Sequence, residues 1–186
     1  MSNQSKIKNK KLHSGERTIA QTLENLTSVQ LYRYVSTYKY IKSSDIVADL
    51  GCGTGYGCHL LAKKAKHVIG IDDSLETIEF AKLHWKSNKI TYKCQNILDI
   101  KEKYDCVVIH EVIEHVKDVN QLFKILSQCT KRYLIFTVPS PHQKQTNKFH
   151  WKHYHPDEIK QLLTQNNFKL IRFDGMTLPF YVGKKI

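Results

Sequence analysis

A short apolar segment leads directly into a glycine-rich loop at residues 46–57, and this junction constrains the fold more than any other feature. Residues 46–50 have the composition of a buried strand, and glycines follow at positions 51, 53 and 55. Glycines at alternate positions let the backbone turn tightly and approach a ligand closely. The helix predicted to follow would present free backbone amides there. This order predicts a ligand site at the carboxyl end of a sheet.

Strand-like and helix-like segments alternate along the rest of the chain. The patterns predict strands at 46–50, 68–71, 90–94, 104–110, 133–138, 168–173 and 180–183, and helices at 54–64, 75–85, 119–129 and 156–166. Helical periodicity also covers residues 18–41. We therefore predict an α/β protein with one domain over residues 16–186, preceded by a flexible basic arm at 1–15.

The glycine loop does not fit the common nucleotide-binding motifs. A dinucleotide fold needs a small third residue, where this chain has Tyr56 or Cys58, and no Gly-Lys-Ser/Thr follows for a phosphate loop. Asp49, just before the loop, would repel a pyrophosphate and suits a ligand with an ammonium and a sulfonium group. Asp72 ends the second strand, about 20 residues after the loop, at a spacing that suits a ribose diol.

These residues resemble class I (Rossmann-like) S-adenosylmethionine-dependent methyltransferases over nearly the whole chain from Gly15. Small bacterial-type enzymes share Gly15-Glu16-Arg17, Tyr32-Arg33-Tyr34, the loop from Gly53 to Gly57, and Phe149-His150. The resemblance implies a Rossmann-like three-layer αβα sandwich. Its seven-stranded sheet would be mostly parallel, with one antiparallel strand near the C-terminus.

The resemblance also implies a cofactor site for S-adenosylmethionine, with S-adenosylhomocysteine as product. Asp49 and the loop glycines would line the methionine end, Arg33 would meet its carboxylate, and Asp72 would bind the ribose. Asn96 stands where the family usually has an acid for the adenine amino group, and its side-chain oxygen can still accept a hydrogen bond. His110 would close the pocket. The full predicted set is Arg33, Asp49, Gly51, Cys52, Gly53, Gly55, Asp72, Asp73, Asn96, Ile97 and His110.

The fourth strand ends in His110-Glu111-Val112-Ile113-Glu114-His115. On a helical turn, Glu111, Glu114 and His115 would share one face. Methyl transfer is accelerated mostly by positioning, and a base helps when the acceptor is a hydroxyl. We predict His115, Glu111 and His150 as the catalytic residues.

A metal ion is the alternative at this segment. Glu-x-x-Glu-His resembles a motif of ubiquinone-biosynthesis O-methyltransferases and small-RNA 3′-end 2′-O-methyltransferases, where it helps hold Mg²⁺ or a similar ion. His150, His153 or His155 could add a fourth ligand. Many metal-free relatives keep a Glu and a His here, so we predict a site without metal and keep Mg²⁺ as the alternative.

Residues 139–155 form the one long irregular connection that the patterns predict, rich in His, Lys and aromatic residues. The family's acid after its first His is replaced here by Lys152 and His153. We expect a substrate lid that stacks aromatic side chains on an anionic acceptor. The alternative is a surface loop whose Trp151 and Tyr154 cover the sheet edge.

The net charge of +12 allows either an anionic partner, such as nucleic acid, or simply a solvated lysine-rich surface. The chain has no membrane-spanning run, no secretory signal and no Cys-x-x-Cys pair, so we expect a cytoplasmic protein with reduced, mostly buried thiols and no membrane partner. The predicted function is methyl transfer to an O or N atom of a small or carbohydrate-like, possibly anionic acceptor. The alternatives are RNA methylation and a catalytically inactive, cofactor-binding partner subunit.

Overall fold

The computed structural model describes residues 18–142, 144, 147–175 and 179–186. The basic arm predicted at 1–15 and the Gly15-Glu16-Arg17 motif lie outside this part of the chain. The strands are β1 (Ile46–Leu50), β2 (His67–Asp72), β3 (Ile90–Cys94), β4 (Tyr104–His110), β5 (Thr130–Thr137), β6 (Phe168–Asp174) and β7 (Phe180–Lys185). The α-helices are α1 (Ser28–Val35), α2 (Tyr56–Ala62), α3 (Leu75–His84), α4 (Val119–Cys129) and α5 (Pro156–Gln165).

The seven strands form a single sheet in the order β3-β2-β1-β4-β5-β7-β6. All pairs from β3 to β5 are parallel, and β7 runs antiparallel to both of its neighbours. The predicted mostly parallel sheet with one antiparallel strand is therefore confirmed. β1 and β4 lie side by side, and the chain crosses from one half of the sheet to the other between β3 and β4. Such a switch point is where open α/β sheets bind ligands.

Helices cover both faces of the sheet and produce the three layers. On one face, α4 and α5 pack through residues such as Phe123 and Ile159. On the other face, α1, α2 and α3 pack through residues such as Tyr34, Leu61 and Ile78. β4 is almost continuously buried because both of its faces are covered, which explains the apolar run from Cys106 to Ile109.

Side-chain caps define where several helices begin. Thr27 and Gln30 form a capping box at α1, Ser74 caps α3 by accepting from the amide of Thr77, and Asp118 caps α4. These caps satisfy backbone donors that a helix leaves unpaired at its first turn.

The N-terminal region is less regular than the helical periodicity over residues 18–41 predicts. Residues 18–41 contain a 3-10 turn at Leu23–Asn25, the helix α1, and a second 3-10 turn at Tyr38–Tyr40. α2 begins at Tyr56 rather than at residue 54, because Gly53 and Gly55 both adopt positive φ. Within the described residues, no helix combines the length and apolar character needed to cross a membrane.

Candidate active site

A cavity of about 640 Å³ opens at the carboxyl ends of β1, β2 and β4. It is bounded by the glycine loop on one side and by the segment after β4 on the other. Its lining combines residues predicted from the sequence with several that were not. The lining residues are Thr18, Arg33, Tyr34, Gly51, Cys52, Gly53, Thr54, Tyr56, Asp72, Asp73, Asn96, Ile97, Leu98, His110, Glu111, Val112, His115, Val116, Lys117, Phe149 and Trp151.

The glycine loop needs the conformations that only glycine adopts easily. Gly51, Gly53 and Gly55 have φ values of 68°, 54° and 93°. The amides of Gly51 and Cys52 both donate to the Ile71 carbonyl, at 2.8 and 3.0 Å, which ties the loop to the end of β2. A Cβ at Gly51 would lie 2.4 Å from the Val112 side chain, so the cavity wall tolerates no larger residue there.

Gly55 faces away from the cavity, although the sequence analysis included it in the cofactor site. A Cβ at this position would lie 2.7 Å from that of Ala81 and 2.9 Å from the hydroxyl of Tyr92. Gly55 thus lets α2 start close against α3 and β3. Its geometry indicates a packing role rather than contact with a ligand.

Asp72 lies at the end of β2 and is 5 % exposed. One of its carboxylate oxygens accepts from the amide of Gly53 and the other from the amide of Ser74, both at 3.0 Å. The carboxylate therefore organises the glycine loop on one side and the start of α3 on the other. Asp72 also lines the cavity, and each carboxylate oxygen can accept more than one hydrogen bond.

Asp49 lies behind the loop, fully buried and outside the cavity lining. Its oxygens accept from the Tyr34 hydroxyl at 3.4 Å and from the Cys58 thiol at 3.3 Å. Burial raises the pKa of Asp49 to about 7, and these two hydrogen bonds only partly offset it. A contact between Asp49 and a ligand stays a prediction. The electric field of the Asp49 carboxylate would still reach the cavity across the loop.

Arg33 and Glu111, which both line the cavity, form an ion pair with 3.0 Å between guanidinium and carboxylate. Glu111 has a φ of 54°, which is uncommon for a residue with a side chain and marks a strained turn after β4. This backbone conformation directs the Glu111 side chain toward Arg33. The expected shared face of Glu111, Glu114 and His115 is therefore wrong, because the chain leaves β4 through this turn and enters a 3-10 turn rather than an α-helix.

His110 ends β4 inside the cavity wall and is 7 % exposed. Its ring packs edge-on against Tyr34, with 4.9 Å between ring centroids, and neither ring nitrogen makes a hydrogen bond of normal geometry. Burial, with a contribution from the charge of Arg33, lowers the pKa of His110 to about 3. The imidazole is neutral at physiological pH and does not repel a cationic ligand.

Asn96 and Ile97 lie in the cavity wall beyond β3, together with Leu98. The side-chain oxygen of Asn96 accepts from the amide of Leu98 at 2.9 Å and begins a 3-10 turn at Ile97–Asp99. One acceptor lone pair of this oxygen is thus used locally. The second remains for a donor in the cavity.

Glu114, His115 and His150 come together on the opposite side of the cavity. One potential ligand atom from each lies within 4.8 Å of the others, and Glu114 is almost completely buried. One carboxylate and two imidazoles could hold a divalent ion, and imidazoles suit transition metals better than they suit Mg²⁺. His150 was predicted as an added ligand, whereas Glu111, which was expected in this group, pairs with Arg33 instead.

The two histidines of this cluster are oriented by hydrogen bonds. His115 Nδ1 lies 3.2 Å from the Phe149 carbonyl, and its Nε2 lies 3.9 Å from a carboxylate oxygen of Glu114. The contact with the carbonyl favours a proton on Nδ1, and in that tautomer Nε2 is the proton acceptor. His150 Nδ1 lies 2.8 Å from His153 Nε2, and Asn147 lies 3.0 Å from His150 Nε2. Burial, with the nearby His115 and His153, lowers the pKa of His150 to about 4.

The long connection after β5 is anchored over this cluster. The Trp151 amide donates to the Glu114 carbonyl at 2.8 Å, which brings Phe149 and Trp151 to the cavity mouth. Trp151 is 61 % exposed, and the Lys117 ammonium lies 5.4 Å from its ring centroid. Tyr154, by contrast, is buried in the core under α5.

Sequence reasoning did not single out the aromatic walls of the cavity. Tyr34 and Tyr56 pack edge-on at 5.5 Å, and a Cβ at Gly57 would lie 2.0 Å from the Tyr34 ring. The glycine at 57 was the available signal, since an absent side chain inside a helix marks a close neighbour. Thr18 and Lys117 carried no comparable signal, because their positions depend on the paths of irregular segments.

Comparisons with known proteins agree with this arrangement. The family model described as "Methyltransferase domain" matches residues 41–175. Ubiquinone biosynthesis O-methyltransferase of Bradyrhizobium diazoefficiens is 40% identical over 82 residues, which are 42% of this chain and 32% of that protein. Its namesake in Pelagibacter ubique is 28% identical over 168 residues, 78% of this chain and 70% of that protein. The chain thus spans only about a third of the length of several curated relatives that it matches.

Solved structures share the fold at low sequence identity. Magnesium protoporphyrin IX methyltransferase of Synechocystis PCC 6803, crystallised with S-adenosylhomocysteine, superposes with a TM-score of 0.74 at 18% identity, over 86% of this chain and 82% of that one. A putative S-adenosylmethionine-dependent methyltransferase of Listeria monocytogenes gives 0.67 at 19% identity, over 84% and 99%. These likenesses concern the arrangement of strands and helices.

Proposed function

The chain belongs to the methyltransferase domain family and has the class I fold of S-adenosylmethionine-dependent enzymes, and from this premise we propose that it transfers the methyl group of S-adenosylmethionine to a hydroxyl oxygen of a small-molecule acceptor. One observation carries the proposal. A single cavity has Asp72 and the glycine loop at one end and His115, with its Nδ1 against the Phe149 carbonyl, at the other.

The cavity suits the cofactor in size and in the order of its polar groups. A volume of about 640 Å³ falls within the range of small-molecule sites. In the proposed pose, Asp72 accepts from the ribose hydroxyls, and Asn96, Ile97 and Leu98 surround the adenine. Arg33 lines the same cavity as the glycine loop and would receive the methionine carboxylate, with Glu111 holding its guanidinium in place.

Electrostatics favour a cationic ligand at the methionine end. Asp49 lies buried behind the loop, and the neutral His110 lies beside it in the wall. The ammonium and sulfonium of the cofactor would stabilise the charged form of Asp49, so binding would release a proton around neutral pH. The glycine loop has no cation to repel the sulfonium.

In the proposed reaction, an oxygen lone pair of the acceptor attacks the methyl carbon in line with the carbon–sulfur bond. The bond electrons return to sulfur, which leaves S-adenosylhomocysteine, and the hydroxyl proton passes to His115 Nε2. Because His115 Nδ1 is held by the Phe149 carbonyl, the ring presents the correct nitrogen without reorientation. His150 packs edge-on against His115, with 4.7 Å between ring centroids, and supports its position.

The residues at the cavity mouth favour a planar or anionic acceptor. Phe149 and Trp151 offer exposed ring faces, and Lys117 offers a positive charge beside them. The relatives named for ubiquinone biosynthesis are O-methyltransferases, which supports oxygen rather than nitrogen as the methyl acceptor.

A second candidate, metal-assisted methylation of an RNA hydroxyl, is supported by the cluster of Glu114, His115 and His150. These side chains would hold a divalent ion, which supplies Lewis-acid polarisation of a hydroxyl when bound. Tight binding of Mn²⁺ or Co²⁺ that is lost in His150→Ala, together with methylation of RNA but not of small acceptors, would favour this candidate.

Mass spectrometry of methylated products tests the first candidate. The protein is incubated with S-adenosylmethionine and a metabolite extract, and products are scored by a mass gain of about 14 units, one methylene. We expect product with the wild type and with His67→Ala, a histidine at the far end of β2. Loss of product in His115→Ala alone supports the proposal, whereas equal product from both variants contradicts the role of His115.

A further inference from the structure

The positive charge of this protein is concentrated at the edge of the sheet opposite the candidate active site. We define the basic edge as the amino-terminal ends of the parallel strands, the connections leading into them and the end of β7: residues 41–46, 63–67, 86–90, 100–105, 130–132, 167–169 and 183–186. These segments hold thirteen of the 29 basic side chains and three of the 17 acidic ones. The other sixteen basic and fourteen acidic side chains nearly balance. The basic residues are Lys42, Lys63, Lys64, Lys66, Lys86, Lys89, Lys101, Lys103, Lys131, Arg132, Lys169, Lys184 and Lys185.

Strand pairing makes these segments neighbours in space. The Lys66 amide donates to the Asp45 carbonyl and the Val68 amide to the Lys89 carbonyl, which joins the edge from β3 to β1. On the other side of β1, Tyr104 pairs with Thr130 at the starts of β4 and β5. Seven strands at the usual spacing give a row about 29 Å long. The row and the cavity lie at opposite ends of β4, whose length separates them by about 20 Å.

The three acidic side chains are already paired with cations. Asp45 lies 2.8 Å from Arg132, Asp105 lies 3.3 Å from Lys131, and Glu102 lies 2.9 Å from Lys93. They therefore do not neutralise the remaining lysines of the row. The excess charge is a property of the folded edge rather than of the lysine content alone.

The fold brings like charges together here at a cost to stability. Lys169 and Lys184 lie directly opposite each other in the pairing of β6 with β7, an arrangement that destabilises a sheet. Burial lowers the pKa of Lys185, the next residue along β7, and the charge of Lys103 makes a smaller contribution in the same direction. Local conflicts of this kind are expected where a surface serves a partner.

A polar groove continues from the edge. It has a volume of about 490 Å³ and is lined mainly by carboxamides: Asn120, Lys124, Ser127, Gln128, Gln165, Asn166 and Asn167. Lys185 joins groove and edge by donating to the Ser127 hydroxyl and to the Asn166 carbonyl. Carboxamides donate and accept, so the groove suits riboses and base edges, whereas a flat bilayer surface cannot enter a concave site.

We propose that the basic edge and its groove bind the sugar-phosphate backbone of a nucleic acid. Lysines bind phosphates as point charges, and the one arginine of the edge is engaged by Asp45, so base-specific bidentate contacts are not expected. Among the edge residues, the exposed large apolar side chains are Ile46 and Ile186, too few for a membrane-inserting surface. The binding is therefore electrostatic and independent of sequence. It does not depend on methyl transfer, because it uses residues remote from the cavity.

Two triple variants with the same loss of charge test this proposal. Lys66→Gln, Lys89→Gln and Lys184→Gln together remove charge from the edge, and Lys82→Gln, Lys144→Gln and Lys160→Gln together remove it from exposed positions elsewhere. Binding of fluorescein-labelled 20-nucleotide RNA and DNA is measured by anisotropy between about 0.05 and 0.2 M salt. Three lost phosphate contacts should reduce the slope of log K against log salt by roughly 2 and weaken binding roughly tenfold or more at about 0.1 M salt.

We expect the loss in the edge variant only, with unchanged thermal unfolding cooperativity and unchanged affinity for S-adenosylhomocysteine. Equal losses in both triple variants would show a net-charge effect and overturn the proposal. So would the absence of wild-type binding to RNA and DNA at low salt. A third contradicting result is edge-dependent binding to phosphatidylglycerol vesicles without binding to either nucleic acid.

Discussion

At the scale of single residues, the two ends of the cavity differ in the state of their titratable groups. Around the glycine loop, burial raises the pKa of Asp49 and lowers that of His110, so both groups lose charge relative to water. On the acceptor side, the Phe149 carbonyl lies 3.2 Å from His115 Nδ1 and favours a proton on that nitrogen. The same cavity can therefore bind a cationic ligand at the glycine loop and accept a proton at His115.

Replacing His115 should remove catalysis while leaving the cofactor bound. In His115→Ala we expect turnover to fall by roughly 10² to 10⁴, the usual contribution of a positioned base. Affinity for S-adenosylhomocysteine should stay within about threefold of the wild type, measured by calorimetry. A parallel loss of cofactor affinity would place His115 in cofactor binding instead.

Asp49 should make the protein less stable as the pH rises. An unfolded carboxyl titrates near its ordinary value of 3.8, whereas the folded one titrates at about 7. Between these values the folded state holds the extra proton, so raising the pH favours unfolding. The contribution is on the order of 4 kcal/mol from pH 4 to pH 7.

Urea unfolding of the wild type and Asp49→Asn across this range measures the effect. The stability of Asp49→Asn relative to the wild type should improve as the pH rises, because the amide does not titrate. A difference that does not change with pH would show that Asp49 is not held in its protonated form. The comparison of two variants cancels His110, whose lowered pKa acts with the opposite sign.

At the scale of elements, the sequence predicted the regular parts of the fold well. β4 and α4 begin and end at the predicted residues, because continuous burial and a clear apolar stripe mark them. The region before β1 was predicted poorly. Helical periodicity over so few residues does not distinguish an α-helix from 3-10 turns, and the tertiary contacts of Tyr34 and Tyr38 decide the path.

The candidate site was predictable where it lies at strand ends. Asp72, Asn96 and His110 follow from the rule that parallel strands end at the same edge of a sheet. The acceptor side of the site was not predictable, because the turn at Glu111 and the hydrogen bond from the Trp151 amide to the Glu114 carbonyl depend on irregular backbone. Spacing alone put Glu111 with Glu114, whereas the positive φ of Glu111 itself places its side chain against Arg33.

The packing of α1 on α2 depends on Gly57. A methyl group there would lie 2.0 Å from the Tyr34 ring, so Gly57→Ala should cost about 1–3 kcal/mol of stability by overpacking. It should also weaken cofactor binding, because Tyr34 lines the cavity. A double-mutant cycle with Tyr34→Leu gives the check by urea unfolding. The double variant should lose less than the sum of the single losses; additive losses would mean that the two side chains do not compete for space.

At the scale of the whole molecule, charge and active site lie at opposite edges of one sheet. The cavity lies at the carboxyl ends of the strands and the basic edge at their amino ends, so each can change without disturbing the other. A net charge of +12 also means self-repulsion in the folded state, concentrated where Lys169 faces Lys184.

Salt should therefore stabilise the protein. Raising NaCl from about 20 to 200 mM shortens the screening length and should raise the melting temperature by roughly 2–4 °C, equivalent to about 1 kcal/mol. The variant with glutamine at 66, 89 and 184 should melt higher than the wild type at low salt and respond less to added salt. Identical salt responses of the two proteins, by differential scanning calorimetry, would contradict a repulsive edge.

The central claim is that the cavity beside the glycine loop binds S-adenosylmethionine through Asp72. Isothermal titration with S-adenosylhomocysteine, the stable product, tests it most directly. We predict one site per chain with Kd in the micromolar range or below, and binding roughly 10- to 100-fold weaker in Asp72→Ala, the effect of losing charged hydrogen bonds. Glu79→Gln, an exposed acid on α3, should bind like the wild type. A folded protein that gives no heat with ligand up to about 1 mM, or an Asp72→Ala variant that binds as tightly as the wild type, would contradict the claim.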